Sequence, residues 1–276
     1  MKDYNPSPNN GAEWGESKPM ANNEWNEIDG ITREFPIYYC AFLDILGYKE
    51  KSELYFRNRF NIPERIERAF ATAMTAARVT SCLVDTSGLT IETFSDSIVI
   101  LQPADNRGIG VLLLIASIFV SNLSFESLFV RGGISIGKHS EYITSTGFRV
   151  LTSEALQRAY KLESEVADTP RVVIDQKIIG NLGTQEKGMI ISEGETFILH
   201  FANHAIERQG TNLDDVYSEM IDIKQVRDNA TDDRIRAKYQ WLLDYYYWTI
   251  ALIDGIDASR FLPFTSVAES RFTMLK

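Results

Sequence analysis

Two carboxylates stand where a charge is costly. The stretch Phe35–Leu43 is almost wholly apolar and aromatic, and it ends on Asp44 within CAFLDILGY. The second, Asp96, breaks another apolar run as Ser95-Asp96-Ser97. An ionised carboxylate at the end of a buried strand is destabilising unless something compensates it. An arginine, a cap of backbone amides or a metal ion would each serve. If the two acids converge, they repel each other unless a cation sits between them. A hard divalent ion such as Mg²⁺ takes a few carboxylate oxygens and leaves the rest of its shell to substrate phosphates. The Ile45 carbonyl is one more oxygen ligand, and the turn Leu46-Gly47-Tyr48 offers free amides for phosphate oxygens. Two metals about 4 Å apart suit in-line attack on a phosphoryl group. Plainer readings stand beside this one: Asp96 as a turn aspartate, and Asp44 as the cap of a following helix.

The elements that must position these acids follow from pattern. Pro36–Leu43 reads as a buried strand, bounded by Pro and Gly. Ile62–Val79 has helical spacing, with Ile66, Phe70, Met74 and Ala77 on one face and Pro63 in the first turn. Leu89–Phe94 and Ile98–Leu101 form a hairpin whose polar tip carries Asp96. Gly108–Phe125 is uncharged throughout and at the lower edge of a membrane span, but Asn122 and its serines favour a buried core helix. Leu128–Ile136 is a strand with a glycine pair that permits close backbone approach. A helix follows over Thr152–Val166 with Ser153 as a possible cap, then a strand over Arg171–Ile174 and a hairpin from Met189–Ile191 and Thr196–Phe201. Asn212–Val226 and Asp232–Ile253 are helices, the second an aromatic one that reads as a lid or dimer surface. This is a split βαβ plan, β-α-β-β-α-β, with helices expected on one face of the sheet. Residues 1–34 are polar, without an apolar leader, and read as a flexible arm in which Trp14 and Trp25 are docking candidates.

Composition narrows the function. The chain has 276 residues and a net charge of −10, which disfavours nucleic acid and anionic membranes as partners. Its two cysteines, Cys40 and Cys82, form no CxxC pattern, and His139, His200 and His204 form no zinc motif. A reducing cytoplasm is the expected location.

The set FLDILGY, ETFSDSIVI, VRGGISIG and EALQRAYKLE, in that order, resembles the catalytic domain of class III nucleotide cyclases. The likeness implies an α+β fold with a ferredoxin-like βαββαβ core, a catalytic domain over 35–205 and a C-terminal helical extension over 206–276. It also implies two Mg²⁺ or Mn²⁺ ions on Asp44, Asp96 and the Ile45 carbonyl, and a head-to-tail homodimer with active sites at the interface. Carried over, the base-reading positions fall on Glu92 and Val150, and the transition-state pair on Gln157 and Lys161. Glu92 matches guanylyl cyclases, whereas Val150 cannot hydrogen-bond through its side chain. Lys161 lacks an arginine's bidentate fork, and Arg158 and Lys138 are alternative cations. Gly47 and Tyr48 fall beside the phosphates and the base or ribose, although Tyr48 also suits plain aromatic packing. Arg131, beside two glycines, is expected either to contact phosphate or base, or to pair with a buried acid such as Glu92.

A narrower resemblance reaches most of the chain after residue 35. Phe42–Tyr48, Ser95–Ser97, Arg131–Ile134, Ala159–Glu163 and Lys238–Leu242 are similar to bacterial pyrimidine cyclases of the Pycsar anti-phage system. That likeness implies conversion of UTP, or CTP, to the 3′,5′-cyclic monophosphate and pyrophosphate. An effector that senses the cyclic pyrimidine nucleotide would act downstream, without binding this chain directly. A guanylyl or adenylyl cyclase is the alternative within the class. A catalytically silent nucleotide-binding module is the alternative outside it.

Overall fold

The computed structural model describes residues 34–80, 86, 88–105, 107–203, 206, 213–254, 256–265 and 271–275. The expectations for the N-terminal arm with Trp14 and Trp25, and for Cys82 and His204, lie outside these residues. In chain order the elements are β1 (Ile37–Ile45), α1 (Tyr48–Phe56), α2 (Ile62–Thr80), β2 (Thr90–Phe94), β3 (Ser97–Pro103), α3 (Gly108–Phe125), β4 (Val130–Ile143), β5 (Arg149–Ser153) and α4 (Glu154–Glu165). There follow β6 (Val172–Ile174), short helices α5 (Gln176–Ile179) and α6 (Thr184–Lys187), β7 (Ile190–Glu193), β8 (Thr196–Leu199), α7 (Phe201–Asn203), α8 (Leu213–Asn229), α9 (Asp233–Ala251), a 3₁₀ helix (Ala258–Phe264) and β9 (Thr273–Met274).

The strands are ordered β2-β3-β1-β4-β6-β8-β7-β9, with β5 paired to β4. Within β2-β3-β1-β4 every neighbour pair is antiparallel. With α2 and α3 as the crossovers, this is the ferredoxin-like βαββαβ plan of an α+β protein. β6 adds in parallel to β4.

Why β1 is apolar along its length follows from what covers it. Ala41, Leu43 and Ile45 join Ile98, Ile100 and Ile134 in the main core, under α2 and α3. Cys40 and Phe42 join Val99, Leu101, Ala155 and Ala159 in a smaller core, under α4. Side chains alternate between faces along a strand, so β1 is buried on both. The expectation of helices on one face therefore holds for α2 and α3 but not for α4, which covers the opposite face. α4 lies flat there because β4 has no side chain in its way at Gly133. A Cβ at Gly133 would sit 2.2 Å from the Ala159 carbonyl oxygen.

α3 is long and apolar enough to cross a membrane by length and composition, yet 83% of it is buried inside the protein. It is the core helix that its serines and Asn122 indicate. α9 differs from expectation: Trp241, Tyr245 and Tyr246 are fully buried, so its aromatic run is core and not a lid or dimer surface. The Trp241 indole N–H donates to Glu193 Oε2 on β7 (3.1 Å), and the Tyr245 hydroxyl accepts from the Ala202 amide (2.9 Å). The β4–β5 hairpin extends beyond the strand expected to end at Ile136, and exposes Tyr142, Ile143, Phe148 and Val150 near its tip.

Candidate active site

Asp44 takes its direction from strand parity. It follows Cys40 and Phe42 in period 2 and so faces the α4 side. In the ladder it lies opposite Ser97 of β3 and Arg131 of β4. Asp96 is brought beside it by a two-residue turn. Phe94 pairs with Ser97, Ser95 takes a left-handed φ of 58°, and the Asp96 carbonyl accepts the Ile45 amide at 2.9 Å. A serine in that conformation is strained by about 1 kcal/mol, and the bond from β1 helps to hold it. The chain then turns through Gly47 (φ 67°) into α1, whose N-terminus has no side-chain cap. Its first amides are therefore free of side-chain acceptors.

Arg131 projects from β4 on the same face. Its Nε donates to Asp44 Oδ2 at 3.1 Å and lies 2.7 Å from Glu163 Oε1 on α4. The expected pairing of Arg131 with Glu92 does not occur. Glu92 instead meets Arg149 of β5, which also binds Glu141 at 2.6 Å. The reason is topological: Glu92 is on the edge strand β2, with β3 and β1 between it and β4.

Burial dominates the electrostatics of Asp44 and Glu163. It pushes the Asp44 carboxyl above its usual range, against the hydrogen bond and charge of Arg131. The charge of Asp96 pushes in the same direction as burial, and that of Lys238 on α9 opposes it. Glu163 is only 3% exposed, and burial raises it too, with Arg131 and Lys238 pulling down and Asp44 and Asp96 pushing up. Five charged groups thus feel one another here, three acids and two cations.

The other expected residues divide in two. Ile45 and Gly47 adjoin the acid pair by chain connectivity, and half-buried Tyr48 begins α1 and packs against the main core. Gln157 and Lys161 lie on the outer face of α4, with Lys161 69% exposed and 3.8 Å from Glu165. Arg158 donates to the Ile136 carbonyl at 2.9 Å and Lys138 is exposed on β4. Val150 is exposed on β5, opposite Tyr142. Within one chain these residues are not assembled around Asp44. The converse also holds, since Glu163, Lys238 and Arg149 are not among the expected site residues. A signal for Glu163 was present: Ala155, Ala159 and Glu163 recur every four residues, so the acid sits in an apolar stripe. Lys238 sits in no such stripe, and only its place at the head of the Lys238–Leu242 segment singles it out.

The donors of the pair are carboxylates and a neighbouring carbonyl, which fit a hard divalent cation shared with phosphate oxygens. Among the described residues no group of three or more His, Cys, Asp or Glu could hold a metal ion by itself.

No family model and no curated protein matches the chain. Solved structures do resemble it. The catalytic core of a rhodopsin-guanylyl cyclase with converted specificity, in complex with ATPalphaS, is 10% identical with a TM-score of 0.41, covering 60% of this chain and 96% of that one. The guanylyl cyclase Cya2 is 13% identical with a TM-score of 0.38, covering 60% and 91%. The guanylate cyclase domain of RhGC from Catenaria anguillulae, in complex with GTP, is 10% identical with a TM-score of 0.38, covering 60% and 94%. Likeness at that level carries no argument of its own for activity or substrate.

Proposed function

We propose that the chain is a metal-dependent cytoplasmic pyrimidine nucleotide cyclase that converts UTP, or else CTP, to its 3′,5′-cyclic monophosphate and pyrophosphate, as a second messenger in anti-phage defence. The observation that carries the catalytic reading is the β1–β3 register, which sets Asp44 opposite Ser97 and so beside Asp96. The choice of a pyrimidine and the defence role rest on the sequence motifs, from the Asp44 segment to the Lys238 helix. Asp44, Asp96 and the Ile45 carbonyl would hold two Mg²⁺ or Mn²⁺ ions, which when bound lower the pKa of the ribose 3′-hydroxyl and neutralise the triphosphate. The 3′-hydroxyl gives its proton to solvent, and the O3′–Pα bond forms as the bond from Pα to the pyrophosphate oxygen breaks. The uncapped amides after Gly47 orient phosphate oxygens. Gln157 and Lys161, turned outward on α4, serve the acid pair of a second copy in a head-to-tail homodimer, and the exposed apolar side chains of the β4–β5 hairpin are suited to the same contact. Lys161 then stabilises the charge that develops on the leaving group.

One observation favours a second reading. Arg131 already compensates Asp44, as it would in a silent nucleotide-binding module. The two are separated by incubating the purified protein with ATP, GTP, CTP and UTP separately in Mn²⁺ or Mg²⁺ and identifying products by mass spectrometry. A cyclic pyrimidine nucleotide, lost in Asp44→Ala, is the expected result. A cyclic purine would remove the pyrimidine assignment, and no product with any nucleotide would favour the silent module.

A further inference from the structure

We infer that Glu163 is a positioning residue for the cation site: it is the second berth of Arg131, which leaves Asp44 for Glu163 when a divalent cation arrives. The inference rests on the reading of Asp44 and Asp96 as that cation site. Arg131 Nε carries a single N–H. It lies 3.1 Å from Asp44 Oδ2, to which it is aligned as a hydrogen bond, and 2.7 Å from Glu163 Oε1, to which it is not. Glu163 Oε1 is buried and has no hydrogen-bond partner among the described residues. A buried carboxylate oxygen without a donor is costly, and a guanidinium at 2.7 Å is an obvious remedy held out of alignment.

The arrangement has two states that differ by a small turn of one side chain. In the structure the Nε–H bonds to Asp44, and Glu163 Oε1 receives the guanidinium's charge without an aligned donor. With a divalent cation on Asp44, the guanidinium is repelled, and its Nε–H turns to the oxygen that lacks a donor. Each state satisfies one acid at the other's expense, which makes the equilibrium responsive to the cation. The position of Glu163 is fixed by the fold. It lies one turn beyond Ala159, whose carbonyl oxygen would be 2.2 Å from a Cβ at Gly133, two residues along β4 from Arg131. The close approach of α4 to β4 is what brings the second carboxylate within reach. Lys238 places a further positive charge on both acids, so neither is left bare while the guanidinium turns.

Removing the second berth should therefore hold Arg131 on Asp44 and weaken cation binding. Mn²⁺ affinity is measured on the full chain without nucleotide, from the electron paramagnetic resonance signal of free Mn²⁺. Glu163→Gln keeps the volume and removes the charge, and should raise the Mn²⁺ Kd on the order of tenfold, about the worth of one charge-assisted hydrogen bond. Arg131→Met should lower the Kd, because the guanidinium that competes with the cation for Asp44 is then gone. The decisive quantity is the coupling. In the Arg131→Met background, Glu163→Gln should change the Kd by less than about threefold, since no guanidinium remains to be received. Equal weakening in both backgrounds would mean that Glu163 acts only as a nearby charge, and would overturn the inference. So would unchanged Mn²⁺ binding in Glu163→Gln, or no Mn²⁺ binding by the wild-type chain. A second measurement needs no Glu163 variant: the ¹⁵Nε–H resonance of Arg131, assigned with Arg131→Lys, should shift during a Mg²⁺ titration and saturate as the site fills. A resonance that stays still while Mg²⁺ binds also overturns it. Failure of the cyclase reading is separable, since a chain that shows the coupling but forms no cyclic nucleotide retains the switch and loses only the activity.

Discussion

Glu219 allows a stability experiment at a distance from the acid pair. It lies on α8, buried, where its Oε1 meets the hydroxyls of Ser124 at the end of α3 and Tyr246 on α9, the latter at 2.9 Å. Its Oε2 has no hydrogen-bond partner among the described residues. Burial pushes the carboxyl from the usual 4.5 up to about 7, against the two hydroxyl hydrogen bonds, and the charge of Asp222 adds to the push. The sign follows from proton uptake. Between those two pH values the folded chain holds a proton that the unfolded chain has lost, so stability falls as pH rises through the interval. The full penalty for the ionised form is about 3 kcal/mol. Glu219→Gln has no such penalty and keeps the volume. The assay is urea unfolding of both proteins from pH 4.5 to 8. The free-energy difference, variant minus wild type, should grow by about 3 kcal/mol over that range, mostly between pH 5 and 7, because titrations common to both proteins cancel. Parallel curves would refute the reasoning. They would mean that the Ser124 and Tyr246 hydroxyls stabilise an ionised Glu219 enough to outweigh its burial.

Two further substitutions test how the site is held. Gly133→Ala would place a Cβ 2.2 Å from the Ala159 carbonyl oxygen and 2.7 Å from Leu162 Cβ, which forces α4 off β4. A loss of about 1–3 kcal/mol in urea unfolding, together with weaker Mn²⁺ binding, is the expected outcome, and an unchanged protein would show that α4 is not seated as described. Arg149→Ala frees Glu92 and Glu141 of their partner at a largely exposed site. The unfolding midpoint should scarcely move, while relative binding of the four nucleoside triphosphates should shift towards purines if Glu92 reaches the base; unchanged selectivity would take Glu92 out of the base pocket.

How much of this was legible depended on whether a physical signal reached the sequence undiluted. Gly108–Phe125 was, because an uncharged run of that length has few places to go, and its bounds are those of α3. Ser153 was legible as a cap, since its hydroxyl accepts the Leu156 amide at 3.1 Å, but the strand that ends on it was not. β5 is short, largely exposed and paired on one side only, so it has no buried face to leave a period-2 trace. α1 was hidden for a similar reason. None of its residues is buried, and no apolar stripe marks it. Asp44 and Asp96 were found because an acid inside an apolar run is a local anomaly. Lys238 was not, because a lysine on a helix is ordinarily a solvated charge, and only tertiary packing brings α9 near β1.

The face on which Asp44 lies was hidden by the very property that marked β1 as buried. A strand covered on both sides loses the alternation that would say which residues look which way. The two sides are nevertheless unequal. The face under α2 and α3 is a thick core joined by α9, in which an unpaired acid would find neither water nor donor. The face under α4 is a small cluster of Cys40, Phe42, Val99, Leu101, Ala155 and Ala159. One step beyond Phe42 on that face, the apolar contacts give way to Asp44, Ser97 and Arg131. There Asp44 is still 19% exposed and Arg131 28% exposed, so the acid is desolvated enough to demand a cation and open enough to exchange one. A one-residue shift of register would send Asp44 into the thick core. The β1–β4 pairing that prevents this is the one in which Gly132, opposite Leu43, leaves the β1 backbone room that a Cβ would fill, 2.4 Å from the Phe42 carbonyl oxygen. The glycine pair after Arg131 thus fits β4 against β1 through Gly132 and against α4 through Gly133, and together they set where the acid and its counter-ion meet.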